Sequence, residues 1–315
     1  MGCHPKVLII GAGIGGLLLA ILLWRAGIDY EIFERAAEFK SLGSAMVTGP
    51  NILPVFEQLD LLEQVEKIAK SLKCLNIYNY SLEKLGTVEA NTKERAGCYS
   101  MAFALPPHKI HMSKKVLAMQ EVDEGVKIRC SDNSSFVGDI LVGADGAYSG
   151  VRQSLYKQLA REKLLPKNDE GELSMRYICL VGTTEFLDPE KHPYLMDEFS
   201  HFEIVLAKDS SESIFPSASQ GAINAMQDAT ILANCINEIK SLTVKDISTA
   251  LQDYQDQRYQ FAKTQFETSK RFAVIMSGQT WSEAVIRKLV LSYMPKSLNQ
   301  KRQARRVPID LKPIF

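Results

Sequence analysis

The chain has 315 residues, 46% of them hydrophobic, enough to bury one large or two ordinary domain cores. Lys plus Arg equals Asp plus Glu at 37 each, so no net field draws it to nucleic acid or to an acidic partner. Six scattered cysteines without a C-x-x-C pair and five histidines without ligand spacing argue against a metal or dithiol centre and for reduced thiols in the cytoplasm.

Lys6 to Ile10 reads as a buried strand, and Gly11-Ala12-Gly13-Ile14-Gly15-Gly16 opens an apolar helix running to about Ala26. This is G-x-G-x-x-G in its required strand-to-helix context, so Gly11, Gly13, Ile14, Gly15 and Gly16 are candidate nucleotide contacts. Gly11 allows the tight turn, Gly13 lets backbone approach a pyrophosphate, and Gly16 lets helix and strand pack closely. A second strand from Tyr30 ends at Glu34, eighteen residues beyond Gly16, where a carboxylate accepts hydrogen bonds from a ribose diol. Arg35, directly after it, slightly weakens the case for a plain NAD site. The βαβ unit alone leaves NAD and FAD open, since both present an ADP half. It also explains the apolar run Val7 to Trp24, which is neither a signal peptide nor a membrane span. Lys6 stands where a myristoylation pattern wants Ser or Thr.

Gly43 to Asn51 is a glycine-bearing loop feeding helices from about Ile52 to Lys70, and Cys74 to Tyr80 begins an excursion into a second layer. Val116 to Gln120, Val126 to Cys130 and Phe136 to Gly138 are short strands of a meander punctuated by Asp123-Glu124-Gly125 and Ser131-Asp132-Asn133. The apolar run Asp139 to Val142 then meets Gly143-Ala144-Asp145-Gly146-Ala147-Tyr148-Ser149-Gly150-Val151-Arg152, with a helix from Ser149 to Leu159. Small residues where a strand meets a helix N-terminus suit anions and ribityl-type hydroxyls. Arg176 to Thr184 and His201 to Leu206 read as two strands of a further sheet. Gln220 starts a helix to about Ile239, and more helices run from Val244 to Phe272 and from Trp281 to Tyr293, with Phe261, Phe266, Phe272 and Trp281 expected to pack inside. The last twenty residues are basic, with Lys296, Lys301, Arg302, Arg305, Arg306 and Lys312; they suit a solvated tail or a weak membrane-surface contact.

Paired with the N-terminal fingerprint, Gly143 to Gly146, Ser149 and Arg152 resemble the G-A-D-G-x-x-S-x-V-R segment of the group A flavoprotein monooxygenases, the para-hydroxybenzoate hydroxylase-like family. The resemblance implies an α/β fold: a Rossmann-like FAD-binding domain, a truncated β-sheet substrate domain and C-terminal helices. It divides the chain into an FAD-binding βαβ unit (1–72), a β-rich excursion (73–138), a second FAD-binding segment (139–170), a shortened substrate sheet (171–215), a third FAD-binding segment (216–240) and C-terminal helices with a basic tail (241–315). Asp145 and Gly146 inherit a role toward the flavin and pyridine nucleotide, although Asp145 also suits a helix N-cap. Gly43 and Ser44 fall in a segment similar to one that passes close to the flavin in the family. Pro216 to Ala229 resembles the back half of the family's G-D-A-A-H motif, which makes Gly221 and Asn224 candidates beside the pyrimidine ring, at the positive end of a helix dipole.

The chain departs from the family in two places. No G-D-A-A-H precedes Pro216, and only nine residues separate Leu206 from it where relatives carry two strands and more. Near Ala102 to Pro107, prolines replace a helix that bears a flavin-facing arginine. The resemblance implies an FAD-dependent monooxygenase with NADPH or NADH as transient reductant. A flavin hydroperoxide would then hydroxylate or epoxidise a small aromatic or polyketide-like substrate, with no side chain needed as nucleophile. A non-catalytic shortened isoform and an NAD(P)-linked dehydrogenase remain alternatives. A flavin-dependent halogenase does not, because its W-x-W-x-I-P signature cannot be built from Trp24 and Trp281.

Overall fold

Every side chain of Val7–Ile10 (β1) is buried, as in a strand covered on both faces. The computed structural model describes residues 4–39, 46–78, 81–89, 95–97, 105–123, 125–167, 188, 190–191, 199–205, 220–277 and 280–293. After β1 come α1 (Ile14–Arg25), β2 (Tyr30–Phe33), β3 (Met46–Thr48), α2 (Leu53–Gln58), α3 (Leu62–Ile68), β4 (Lys70–Tyr78), β5 (Lys84–Glu89) and β6 (Arg95–Gly97). A 3-10 turn, Pro107–Lys109, leads to β7 (Ile110–His111), the meander β8 (Val116–Val122), β9 (Gly125–Cys130) and β10 (Ser135–Gly138), then β11 (Ile140–Gly143) and α4 (Gly150–Arg161). The remaining described elements are β12 (Phe199–Val205), α5 (Gln220–Asn237), α6 (Val244–Ser277) and α7 (Trp281–Tyr293).

A parallel sheet in the order β11-β1-β2-β7 lies between two layers. Val7 and Ile9 face a core built with α1, α2 and α5, while Leu8 and Ile10 face Ile128 and Cys130 of the meander. Successive residues of one strand thus feed two cores, which is why β1 is apolar at every position instead of alternating. Helix α1 is buried from Gly16 to Leu23, being sandwiched between this sheet and α5.

A second sheet has the order β12-β4-β6-β3, with β5 also paired to β4. The stretch from Ile52 to Lys70 holds the helices expected there, divided in two because Asp60 takes a left-handed φ of 58° and the Leu61 and Asp60 amides close on the Phe56 and Glu57 carbonyls. Elsewhere the structure departs from several expectations. Lys70 is already strand. The loop Gly43 to Asn51 contains β3, and β12 pairs in parallel with β4. Arg176 to Thr184 lies outside the described residues. The excursion also sends β7 back to the first sheet as its edge strand. Phe266 and Trp281, expected to pack, are 69% and 82% exposed. Phe261 lies beneath the Arg258 guanidinium, 4.9 Å from its ring centroid, and the Phe272 side chain is outside the described set.

Candidate functional site

The parallel register brings the ends of three strands to one edge: Ile10 is opposite both Phe33 and Gly143. The chain therefore leaves the sheet at Gly11, Glu34 and Ala144 side by side. The Gly11 amide donates to the Phe33 carbonyl at 2.8 Å and the Ala144 amide to the Ile10 carbonyl at 2.7 Å. Gly11 has a φ of 105°, and a Cβ there would lie 2.5 Å from the Ala144 carbonyl oxygen, so the two glycine-rich turns are in backbone contact. At Gly16 a Cβ would lie 2.1 Å from the Gly11 oxygen, and at Gly15 it would lie 3.0 Å from the Ala225 Cβ of α5. These three glycines serve packing of the protein against itself. Around Gly13 a Cβ meets nothing closer than 4.0 Å, and around Gly146 and Gly221 nothing lies within 4 Å, so these three leave backbone open to a ligand.

Glu34 closes the βαβ turn. Its Oε2 accepts from the Ala12 amide at 2.8 Å and its Oε1 from the Ala36 amide at 2.9 Å, which holds the carboxylate at the mouth of α1 while each oxygen keeps a lone pair. Arg35 beside it is exposed. Gly13 is the N-cap of α1; no side chain caps this terminus and its first turn, including Ile14, has no acidic residue. Among the described residues the first amides of α1 thus have no side-chain cap, and the positive end of the helix faces this edge.

Asp145 has one oxygen in use and one idle. Its Oδ2 accepts from the amides of Gly150 at 2.7 Å and Val151 at 3.3 Å, while the true N-cap of α4 is Ser149, whose Oγ accepts from the Arg152 amide at 3.0 Å. Arg152 in turn donates to the Ala147 carbonyl at 2.5 Å, closing the turn around Gly146. The Asp145 Oδ1 is buried and has no hydrogen-bond partner. A buried carboxylate oxygen in that state has an unused capacity to accept a hydrogen bond. Together the edge can take an anion at α1 and hydroxyl donors at Asp145 and Glu34.

Packing of Gly15 on Ala225 brings the first turns of α5 beside this edge, where Gly221 is exposed and Asn224 half-buried. Gly43 and Ser44 lie outside the described residues. Sequence reasoning missed a buried polar chain behind α5. The Arg258 Nε on α6 donates to Asp228 Oδ1 at 2.5 Å, its Nη1 to Gln227 Oε1 at 3.4 Å, and the Gln227 Nε2 to the Asn51 carbonyl at 3.3 Å. Burial pushes the neighbouring Tyr254 phenol up to about 12, and Asp228 adds to the shift. The only hint in the sequence was the i, i+4 spacing of Tyr254 and Arg258, which does not name a partner thirty residues away. Among the described residues no group of three His, Cys, Asp or Glu side chains could hold a metal ion, and no helix is long and apolar enough to cross a membrane.

Residues 4–168 match the family described as an FAD binding domain. The chain is 24% identical to the FAD-dependent monooxygenase ausM of Penicillium brasilianum, over 91% of this chain and 82% of that protein. That alignment extends over 393 positions, more than the 315 residues of this chain, so the relative carries insertions absent here. The FAD-dependent monooxygenase paxM of Penicillium paxilli is also 24% identical, over 84% of this chain and 77% of its own length. Among solved structures, Klebsiella pneumoniae HpxO complexed with FAD and uric acid superposes with a TM-score of 0.66 at 19% identity, covering 96% of this chain and 95% of that one. The 2,6-dihydroxypyridine-3-hydroxylase of Arthrobacter nicotinovorans gives 0.61 at 18% identity, covering 88% and 94%. At such identities these structures establish the shared fold.

Proposed function

The chain belongs to the FAD-binding-domain family of FAD-dependent monooxygenases, and from that premise we propose that it binds FAD along the edge where β1, β2 and β11 end and acts on a small aromatic or polyketide-like substrate. The observation that carries this reading is the buried, unpartnered Asp145 Oδ1 in the turn packed against Gly11, which leads into the uncapped α1 terminus. FAD presents the matching groups, hydroxyl donors on its ribityl chain and ribose and a doubly charged pyrophosphate.

In this reading the backbone around Gly11, Gly13, Ile14, Gly15 and Gly16 receives the pyrophosphate, with Gly11, Gly15 and Gly16 acting through the close packing that leaves Gly13 accessible. Glu34 takes the ribose diol, and exposed Arg35 stands near the adenosine end. Asp145 and Gly146 hold the ribityl side, and Gly221 and Asn224 at the start of α5 border the pyrimidine edge, where the helix dipole favours negative charge. Gly43 and Ser44 remain candidates on sequence grounds. Bound FAD supplies the redox chemistry, taking electrons from NAD(P)H and activating oxygen for insertion of one atom into an electron-rich substrate. The chain's own residues bind, orient and exclude water; none is asked to act as a nucleophile.

Purification tests the reading directly. The protein is expected to be yellow or to take up FAD, and to consume NAD(P)H in an oxygen-dependent way when an acceptor substrate is present. A colourless chain that takes up no FAD would reduce it to a non-catalytic scaffold.

A further inference from the structure

The polar chain Asn51–Gln227–Arg258–Asp228 is costly to bury: Gln227 is 1% and Arg258 4% exposed, and the Arg258 Nη2 is buried without a partner. An apolar pair of similar volume often serves stability as well or better at such a position. What an apolar pair cannot supply is direction. A guanidinium only donates, so the Gln227 Oε1 must face Arg258, and this turns the Gln227 Nε2 toward the Asn51 carbonyl. Asp228 on α5 holds the guanidinium through its Oδ1, and the Tyr254 hydroxyl on α6 hydrogen-bonds Asp228 in turn. Asn51 ends the Gly49 turn, whose carbonyl accepts from the Ile52 and Leu53 amides at 3.0 Å.

We propose that Gln227 and Arg258 are positioning residues that dock the Gly49–Asn51 turn onto α5, holding the helix that borders the flavin in register with the end of the Gly43–Asn51 loop. The inference rests on the FAD reading above. Gln227 acts through the Asn51 backbone and Arg258 acts through Gln227.

The test uses Gln227→Glu, which keeps the bond to Arg258 but has no proton for Asn51, and Gln227→Met, of similar length and uncharged, which covers the case in which the first variant does not fold. Amide hydrogen exchange of residues 49–53 in the FAD-free full chain and FAD affinity by flavin fluorescence are both read. Faster exchange confined to that turn is expected, with FAD bound about three- to tenfold more weakly, the equivalent of one buried hydrogen bond. Arg258→Met should reproduce both effects and Arg258→Lys, still a donor, should recover most of the affinity. Wild-type exchange and affinity in the Gln227 variants, while the wild-type chain binds FAD, would overturn the docking role alone. A wild-type chain that takes up no FAD would overturn the cofactor reading and this inference together. Loss of affinity accompanied by faster exchange throughout α5 and α6 would also overturn it, since that pattern marks general destabilisation.

Discussion

Glycines with the same place in a fingerprint do different physical jobs, and substitution separates them. Gly16→Ala puts a Cβ 2.1 Å from the Gly11 oxygen, so the turn must move; a loss of about 3 kcal/mol or more and loss of FAD uptake are expected by denaturant titration. Gly221→Ala meets nothing within 4 Å and favours the helix, so melting should hold or rise slightly while FAD affinity falls if the flavin approaches this backbone. Asp145→Asn keeps an acceptor for the Gly150 amide but replaces the other oxygen with a donor. Its melting temperature should stay near wild type while FAD affinity drops about tenfold, whereas Asp145→Ala should also lose about 1 kcal/mol of helix capping. Equal FAD affinity in Asp145→Asn would leave this carboxylate a helix cap and nothing more. Tyr30 carries a buried hydroxyl without a partner, so Tyr30→Phe should not lower the melting temperature.

Among the elements, legibility followed the local signals. Helix α1 ends in a Schellman motif with Gly27 at φ 70°, and the sequence marks that stop. The same motif ends α2 with Asp60 in glycine's place, so the sequence marks the point where α2 stops less plainly. Helix α7 matched its expected bounds, yet its first residue, Trp281, faces solvent, because amphipathic spacing does not reveal which neighbours arrive. At the contact of α5 with α6, the raised Tyr254 pKa sets the sign of a pH effect. Its phenol binds its proton more tightly when folded, so its contribution is intact below pH 10 and fades as pH rises toward about 12. Tyr30, pushed to about 12 by burial, acts in the same window. Alkaline unfolding should therefore steepen between pH 10 and 12, and Tyr254→Phe with Tyr30→Phe should flatten it in a pH series of denaturant titrations.

For the whole molecule, a ligand that binds only the folded chain raises stability by mass action, so FAD at 100 times its dissociation constant should add about 2.7 kcal/mol. A melting temperature that climbs with FAD, by about 5 °C at that ratio, is expected, and a flat response would count against the cofactor site. Residue order alone determined the βαβ fingerprint, the Glu34 acid, the second turn at Asp145 and the family they resemble, because strand, turn and helix starts are written in neighbouring residues. Tertiary structure decided what lies far apart in the chain: that β11 pairs with β1 and sets Ala144 against Gly11, and that β12 joins β4. It also decided that one Asp145 oxygen caps a helix while the other is buried without a partner, and that Arg258 reaches Asn51 through Gln227. Such pairings depend on which surfaces fill a shared core, and no local pattern carries that information.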